Sequence, residues 1–151
     1  MTAVPARATA QHRQEYRRFF DMETRWNDMD CYGHMNNVVY MEYFDSALNR
    51  VLIEGGALDL HGEGPIGVVA QSYTNYFSEV TYPDRVTVGV RVDRIGNTSL
   101  SWGFALFREN EDHAAAQGSY VHVYVDRTTR RPVALGPQHR ALAERLLFSK
   151  N

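Results

Sequence analysis

One segment of the sequence has the periodicity of a long helix that is apolar around most of its circumference. It runs from about residue 37 to residue 54, and Gly55 and Gly56 end it because glycine tolerates the left-handed conformation that commonly closes a helix. Either Asn36 or Asn37 can cap its first turn. Its polar side chains form one narrow stripe, made by Glu42, Asp45, Ser46, Asn49, Arg50 and Glu54. A helix with so little polar surface needs a large apolar surface to cover it.

That covering surface is indicated by strands, in which apolar and polar side chains alternate every second residue. One such segment, Phe20 to Trp26, precedes the helix, and a less regular one over residues 68–77 follows it. The clearest alternations come later and are carried by Val86, Val88, Val90 and Val92, by Leu100, Trp102, Phe104 and Leu106, and by Val121, Val123 and Val125. Short turns between these segments favour antiparallel pairing. The sequence therefore predicts an α+β fold in which a five-stranded antiparallel sheet wraps around a long central helix.

The chain length of 151 residues suits one domain. The first 18 residues are basic and lack the apolar stretch of a secretory signal, so we expect residues 1–18 to form a solvated, flexible arm. Residues 19–151 are expected to form the single domain. A Gly136-Pro137 start predicts a short C-terminal helix, whose apolar residues at helical spacing are Leu142, Ala143, Leu146 and Leu147.

The composition argues against several classes of function. Apolar residues make up 44% of the chain and charged residues 23%, which is typical of a globular protein. The net charge of −2, without any basic block, makes nucleic acid an unexpected partner. No apolar run approaches the roughly 18 residues that cross a bilayer, so no membrane partner is expected either. Because the single Cys31 cannot form an internal disulfide, we expect a cytoplasmic protein.

The loop between the first strand and the helix carries the clearest motif. From Trp26 to Asn37 it reads Trp-Asn-Asp-Met-Asp-Cys-Tyr-Gly-His-Met-Asn-Asn, and Tyr40 follows on the helix. This run resembles the hotdog-fold acyl-CoA thioesterases of the 4-hydroxybenzoyl-CoA thioesterase type. Those enzymes carry an Asp after the first strand, then Gly or Gly-His, often Asn-Asn, and a Tyr in the central helix. The resemblance covers nearly the whole domain in element order, and its specific part lies between Asp30 and Tyr40.

The resemblance implies the hotdog fold and the hydrolysis of an acyl-CoA thioester to free CoA and a carboxylic acid. It gives catalysis to Asp30, as a general base toward water or as a nucleophile, and polarisation of the thioester carbonyl to the backbone N–H of Asn37. CoA is then part of the substrate and the product and not a cofactor. General chemistry agrees, because a thiolate leaves readily and unpaired N–H groups at a helix start stabilise a developing negative oxygen.

Each polar residue near this loop also has a structural interpretation. Asp30 can organise a turn through its side chain. Asp28 can orient the site, but it is expected either to form a turn or to be solvated. His34 can position the substrate or bond the backbone. The Cys31 thiol lacks an activating base and is expected to be a packed side chain. Glu42 resembles the catalytic Glu of another hotdog branch, but its place on the polar stripe predicts solvation.

The remaining expectations concern CoA, metals and assembly. The turn Gly96, Asn97, Thr98 and Ser99 resembles one that lies near the CoA phosphates in related thioesterases, although it also suits an ordinary hairpin. No His or Cys cluster has metal-ligand spacing, so neither a metal nor a cofactor is expected. One helix cannot cover both faces of the sheet, which together with the resemblance predicts a homodimer or a dimer of dimers with substrate sites at the subunit interface. A noncatalytic acyl-thioester-binding protein and a hotdog hydratase or dehydratase are the alternatives.

Overall fold

The computed structural model describes residues 6–149 of the chain. Its strands and α-helices are β1 (Arg18–Glu23), α1 (Val39–Glu54), β2 (Ile66–Tyr76), β3 (Arg85–Ile95), β4 (Ser99–Arg108), β5 (Ala116–Val125) and α2 (Pro137–Leu146). Two short 3₁₀-helices, Arg13–Glu15 and Trp26–Asp28, lie on either side of β1. Within the described range, the helices are too short or too polar for any of them to cross a membrane.

The five strands form one sheet in the order β1-β3-β4-β5-β2, with every neighbouring pair antiparallel. This confirms the sheet that the alternation predicts. Strand β3 pairs with β1 on one side and β4 on the other, so the valines of β3 lie in the sheet interior. Strands β1 and β2 are the two edges, and β2 pairs only with β5.

Helix α1 lies against this sheet, as its narrow polar stripe predicts. Its fully buried residues include Phe44, Ala47 and Leu48. The Phe44 ring stacks on that of Phe104 in β4, with centroids 5.4 Å apart and an interplanar angle of 14°. On the opposite side of α1 the stripe is exposed, apart from a half-buried Asn49. The main hydrophobic core therefore lies between α1 and one face of the sheet.

Several predicted boundaries differ from those in the structure. β1 ends at Glu23, and Trp26 is 77% exposed in a 3₁₀-helix because the Arg25 N–H bonds the Asp28 carboxylate and turns the chain out of the sheet. Helix α1 begins at Val39, two residues after the predicted start. Its end is correct, with Gly56 at φ +68°. Leu147 lies outside α2 and is partly exposed.

The described part of the N-terminal arm is partly buried from Gln11 to Tyr16, which differs from the expected solvated segment. Tyr16 is 4% exposed, and its hydroxyl donates to the carbonyl of Phe104. The Tyr16 ring packs edge-on against Phe107, which points to the opposite side of β4 from Phe104. The arm thus covers part of the sheet face that α1 leaves open. Residues 1–5 of the predicted arm lie outside the described residues.

Candidate active site

The loop from β1 to α1 folds back on itself around Asp30. Met29 and Met35 form an antiparallel bridge, and the Asp30 N–H donates to the carbonyl of His34 at 2.9 Å. Gly33 allows the reversal because it takes φ +81°, a conformation that disfavours other residues. The Met35 N–H donates to Val80 at 2.7 Å and so ties the loop to the segment before β3.

Asp30 is half-buried, and only one of its carboxylate oxygens is used by the loop. Its Oδ1 accepts hydrogen bonds from the N–H groups of Tyr32 at 2.8 Å and His34 at 3.4 Å. Among the described residues, Oδ2 has no hydrogen-bond donor. The expected turn-forming role of Asp30 is therefore present, and it leaves one oxygen available for chemistry.

Asp30 opens onto a surface depression of about 340 Å³ that also contains His34 and Asn37. Its walls are completed by Met35, Tyr40, Tyr76, Phe77, Ser78 and Glu79. The structure thus brings together three of the residues singled out in the sequence. The depression is within the size range of small-molecule sites.

The backbone at the start of α1 leaves one N–H group available at this depression. Asn36, rather than Asn37, bonds the first turn, because its Oδ1 accepts from Val38 N–H at 3.3 Å and its carbonyl from Val39 N–H at 2.9 Å. The Asn37 carbonyl accepts a hydrogen bond from the Tyr76 hydroxyl at 3.0 Å. In the described part of the chain, the Asn37 N–H has no acceptor. It can therefore donate to a ligand at the positive end of the helix.

The His34 side chain is paired with a carboxylate that the sequence pattern does not indicate. Its Nε2 lies 3.0 Å from Oε2 of Glu79, and both side chains are partly exposed. His34 also bonds Asp30 through its backbone. The backbone of His34 thus holds the loop and its imidazole borders the depression, while its role toward a substrate stays a prediction.

Tyr40 and Tyr76 form the wall of the depression beside the helix start. Their rings meet edge to face with centroids 5.2 Å apart, and Tyr40 is 3% exposed. Burial raises the pKa of the Tyr40 phenol to about 12, with a smaller contribution from Tyr76. The phenol is therefore protonated at neutral pH and cannot serve as the base.

Asp28 is buried, so the expectation that it is turn-forming or solvated is only half correct. It does bond the 3₁₀ turn, accepting from the Arg25 N–H at 2.8 Å, and its other oxygen pairs with the Arg25 guanidinium. The Tyr43 hydroxyl of α1 also donates to it. Burial raises the pKa of Asp28, but the hydrogen bonds from Tyr43 and Arg25 outweigh it and leave this pKa below its usual range. Asp28 joins the loop to α1 and does not line the depression.

The turn Gly96–Ser99 lies at the far end of the sheet from Asp30. Strand β3 starts beside the end of β1 and runs 11 residues to Ile95, a length of about 33 Å at the usual strand rise. The backbone of the turn is held by Leu135 and Tyr124, whose N–H groups donate to the carbonyls of Asn97 and Thr98. Within one chain, the structure does not bring this turn to the depression.

Two weaker candidates lie outside the depression. Glu42 is exposed and pairs with Arg25 at 3.4 Å, which agrees with the solvated position predicted for it. Cys31 is exposed, so the expectation of a packed thiol is wrong. The reason is that Cys31 lies at the tip of the turn between Asp30 and Gly33, away from the core.

The chain is similar to a thioesterase-like protein family and to solved structures over most of its length. A sequence model of the thioesterase-like superfamily matches residues 24–143. The crystal structure of the PA5185 protein from Pseudomonas aeruginosa strain PAO1 superposes with a TM-score of 0.90 and 43% identity, covering 95% of this chain and 100% of that one. The PA2801 protein of Pseudomonas aeruginosa gives a TM-score of 0.76 and 28% identity, over 88% and 98% of the two chains.

More distant similarity supports the fold alone. Slr0204, a 1,4-dihydroxy-2-naphthoyl-CoA thioesterase from Synechocystis, has a TM-score of 0.76 at 12% identity, covering 83% of this chain and 93% of that one. No curated protein sequence matches the chain. The sheet, the central helix and these superpositions confirm the hotdog fold. The chain belongs to the thioesterase-like superfamily, and the protein is a thioester hydrolase.

Proposed function

We propose that the protein hydrolyses acyl-CoA thioesters to a carboxylic acid and free CoA at the depression beside Asp30. The observation that carries this proposal is that one carboxylate oxygen of Asp30 and the backbone N–H of Asn37 lie at one depression, and neither has a partner among residues 6–149. The test is release of CoA from short, medium, long and aromatic acyl-CoAs and from an acyl carrier protein thioester. Release from the carrier-protein substrate alone would contradict the proposal.

Asp30 and Asn37 supply complementary parts of this reaction. The N–H of Asn37 donates to the thioester oxygen as it becomes negative, an interaction that strengthens in the transition state. The Oδ2 atom of Asp30 either takes a proton from the attacking water or attacks the carbonyl carbon itself. The leaving thiol has a pKa near 8.5, about that of Cys, so it departs as thiolate without a strong acid. His34 contributes to substrate positioning at the border of the depression.

The choice of CoA as the carrier of the acyl group rests on the motif between Asp30 and Tyr40, which resembles that of acyl-CoA thioesterases. Both Slr0204 and the DHNA-CoA thioesterase from Staphylococcus aureus are named for CoA thioester substrates. The turn Gly96–Ser99 keeps its proposed role near the CoA phosphates only with respect to a partner subunit, since it lies far from Asp30 in its own chain.

The exposed edge of β2 supports a homodimer, alone or as half of a dimer of dimers. This strand is 11 residues long, pairs only with β5 and exposes Val68, Val69, Tyr73 and Tyr76. A long apolar edge is normally covered, and edge-to-edge pairing about a two-fold axis covers it in both copies. Because the Tyr76 hydroxyl bonds the Asn37 carbonyl, such an interface would adjoin the depression.

Introducing charge on this edge should separate the subunits. Changing Val69 and Tyr73 together to Glu places four carboxylates at a two-fold interface, so we expect a monomer by light scattering and a loss of kcat/KM of at least about tenfold. The matched control is Thr128→Glu together with Thr129→Glu in an exposed turn, which should change neither property. A double variant that stays fully active as a monomer would remove the dimer from the mechanism.

Hydrolysis is expected to survive exhaustive chelation. A carboxylate and a helix-end N–H provide the functions of base and oxyanion donor, so the proposed steps need no metal or cofactor. The measurement is the CoA release rate after dialysis against EDTA, compared with an untreated sample. Loss of activity that only an added metal restores would show that the assigned mechanism is wrong.

A further inference from the structure

A second, larger cavity lies at the opposite end of α1 from the depression, and the proposed hydrolysis does not use it. Its volume is about 500 Å³, and we call it the β5 pocket. Its walls include Leu52, Leu58, Ile66, His122, Tyr124 and His139. The first residue of α1 that lines the pocket, Asn49, lies 10 positions after the start of the helix, which is about 15 Å from the Asp30 end at the usual rise. The two cavities are therefore separate sites within one chain.

Two polar atoms beside this pocket are buried without a partner. The Nδ1 atom of His122 and the hydroxyl of Tyr124 make no hydrogen bond to any described residue, although the two residues are only 7% and 3% exposed. Buried polar groups are almost always hydrogen-bonded, because an unsatisfied one reduces stability. The two side chains lie two positions apart on β5 and so point to the same face of the sheet. A ligand in the pocket that forms hydrogen bonds with both atoms would explain why neither has a partner among the described residues.

A glycine on the neighbouring strand lies directly against these two side chains. Gly67 of β2 lies opposite Tyr124 in the register of β2 and β5. A Cβ atom at Gly67 would lie 3.2 Å from Cε1 of Tyr124 and 3.4 Å from Nδ1 of His122. The first distance is shorter than ordinary van der Waals contact and the second is at its limit, so any larger side chain at Gly67 would press on both polar side chains.

The two unpartnered groups are uncharged at neutral pH. Burial lowers the pKa of His122, and Asp45 opposes this only in part. Burial raises the pKa of Tyr124 to about 12. The charged side chains at the pocket, Asp59 and Arg127, are exposed and opposite in sign. The interior of the pocket thus favours an uncharged ligand that can both donate and accept a hydrogen bond.

We propose that the β5 pocket binds a small aromatic compound of one or two rings through a neutral hydroxyl group. The ligand hydroxyl donates to Nδ1 of His122 and accepts from the hydroxyl of Tyr124. Both residues line the pocket but their polar atoms are shielded from bulk water, so the contact requires a change in the side-chain conformation of His122 and Tyr124. The ligand ring packs against Leu52, Leu58 and Ile66, and the volume accommodates one or two rings. Aromatic character also suits the Tyr124 and His139 rings, whose centroids are 4.5 Å apart.

The test is calorimetric titration of the full chain with 2-naphthol as the probe. Tyr124→Phe keeps the ring and removes only the hydroxyl, so it should weaken 2-naphthol binding at least about tenfold. The same variant should unfold at an unchanged or higher temperature without ligand, because the lost hydroxyl has no partner to lose. Tyr82→Phe removes an exposed hydroxyl elsewhere and should leave the affinity unchanged.

Further probes and variants separate this site from the catalytic one. Gly67→Ala retains both polar atoms but narrows the space beside them, so it should also weaken binding. Asp30→Asn should bind 2-naphthol like the wild type, whatever its hydrolytic rate. Equal binding by Tyr124→Phe, tighter binding of 2-naphthoate or 2-methoxynaphthalene, or no binding of 2-naphthol at millimolar concentration would each overturn the proposal. A fall in the unfolding temperature of Tyr124→Phe would also do so, since it would mean that the hydroxyl is already paired.

Discussion

Asp30→Asn should lower kcat by at least about 100-fold while leaving the folded protein intact. The amide oxygen of asparagine can still accept from the N–H groups of Tyr32 and His34, so the turn is retained. The amide nitrogen replaces the carboxylate oxygen that has no protein partner, and it can neither take a proton from water nor attack a carbonyl carbon. The measurement is kcat for CoA release together with the unfolding temperature of the variant.

The matched control for this variant is Asp126→Asn. Asp126 makes the same kind of turn, with Oδ1 accepting from the N–H groups of Thr128 and Thr129 at 2.9 and 2.7 Å. It is half-buried and lies in the turn after β5, outside the depression. Its change to asparagine should leave kcat within about twofold of the wild type, given the small effects of surface changes. Near-normal turnover by folded Asp30→Asn would remove Asp30 from catalysis and direct attention to His34 and Glu79.

The two chemical roles open to Asp30 can be separated by isotope labelling. If Asp30 attacks the carbonyl carbon, hydrolysis of the resulting anhydride under single-turnover conditions in H₂¹⁸O places ¹⁸O in the Asp30 carboxylate or in the acid, depending on which carbonyl water attacks. If Asp30 acts as a general base, the label enters only the carboxylic acid product. Label found in the Asp30 peptide by mass spectrometry would therefore identify the nucleophilic route.

The fold could be predicted from the sequence because its determinants are local. The polar stripe of α1, which includes Glu42, Asp45 and Asn49, follows the helical period. The valines of β3 follow the two-residue period of a strand. Both periods are kept because the apolar side chains of each element are buried in a common core. Prediction is wrong where a single tertiary contact overrides the period. At Trp26 the alternation continues in the sequence, but the carboxylate of Asp28 turns the backbone out of the sheet.

The candidate site could be predicted only in part, for a related reason. Asp30, His34 and Asn37 are close in the sequence, so a motif within one loop identifies them together. Glu79 and Tyr76 reach the same depression from the end of β2, about 40 residues later, through the pairing of β2 with β5. No spacing rule connects residues so far apart when each is an ordinary surface type. The burial of Asp28 is likewise set by Tyr43 and Arg25 and leaves no local periodic signal.

Asp28→Asn should have the opposite effect to Asp30→Asn, with a large loss of stability and a smaller loss of turnover. Asn retains the shape of Asp but replaces one carboxylate oxygen with an N–H₂ group. In one orientation this group faces the Arg25 guanidinium, and in the other it faces the Tyr43 hydroxyl and the Arg25 N–H. All three groups donate to the carboxylate in the structure, so either orientation places donor against donor. We expect the free energy of unfolding to fall by about 2–3 kcal/mol, as for loss of charge-assisted bonds at a buried group. Chemical denaturation measures this, with the exposed Asp45→Asn as the control.

The effect of Asp28→Asn should also depend on pH in a defined direction. The folded state lowers the pKa of Asp28, so the carboxylate stabilises the fold fully above its unfolded pKa of about 3.9. This contribution disappears as the pH falls through the lower pKa of the folded state. The stability difference between wild type and Asp28→Asn should therefore be constant above about pH 5 and shrink below about pH 4.

Together the two aspartates separate catalysis from support of the loop. Asp30→Asn is expected to lose turnover and keep stability, whereas folded Asp28→Asn should keep kcat within about tenfold of the wild type. This order follows from position, since Asp28 contacts Arg25 and Tyr43 while Asp30 faces the depression. If folded Asp28→Asn lost more turnover than Asp30→Asn, the base would be Asp28, and the depression beside Asn37 would no longer be the site of hydrolysis. Equal stability of wild type and Asp28→Asn at pH 7 would instead show that the buried carboxylate contributes nothing to holding the loop on α1.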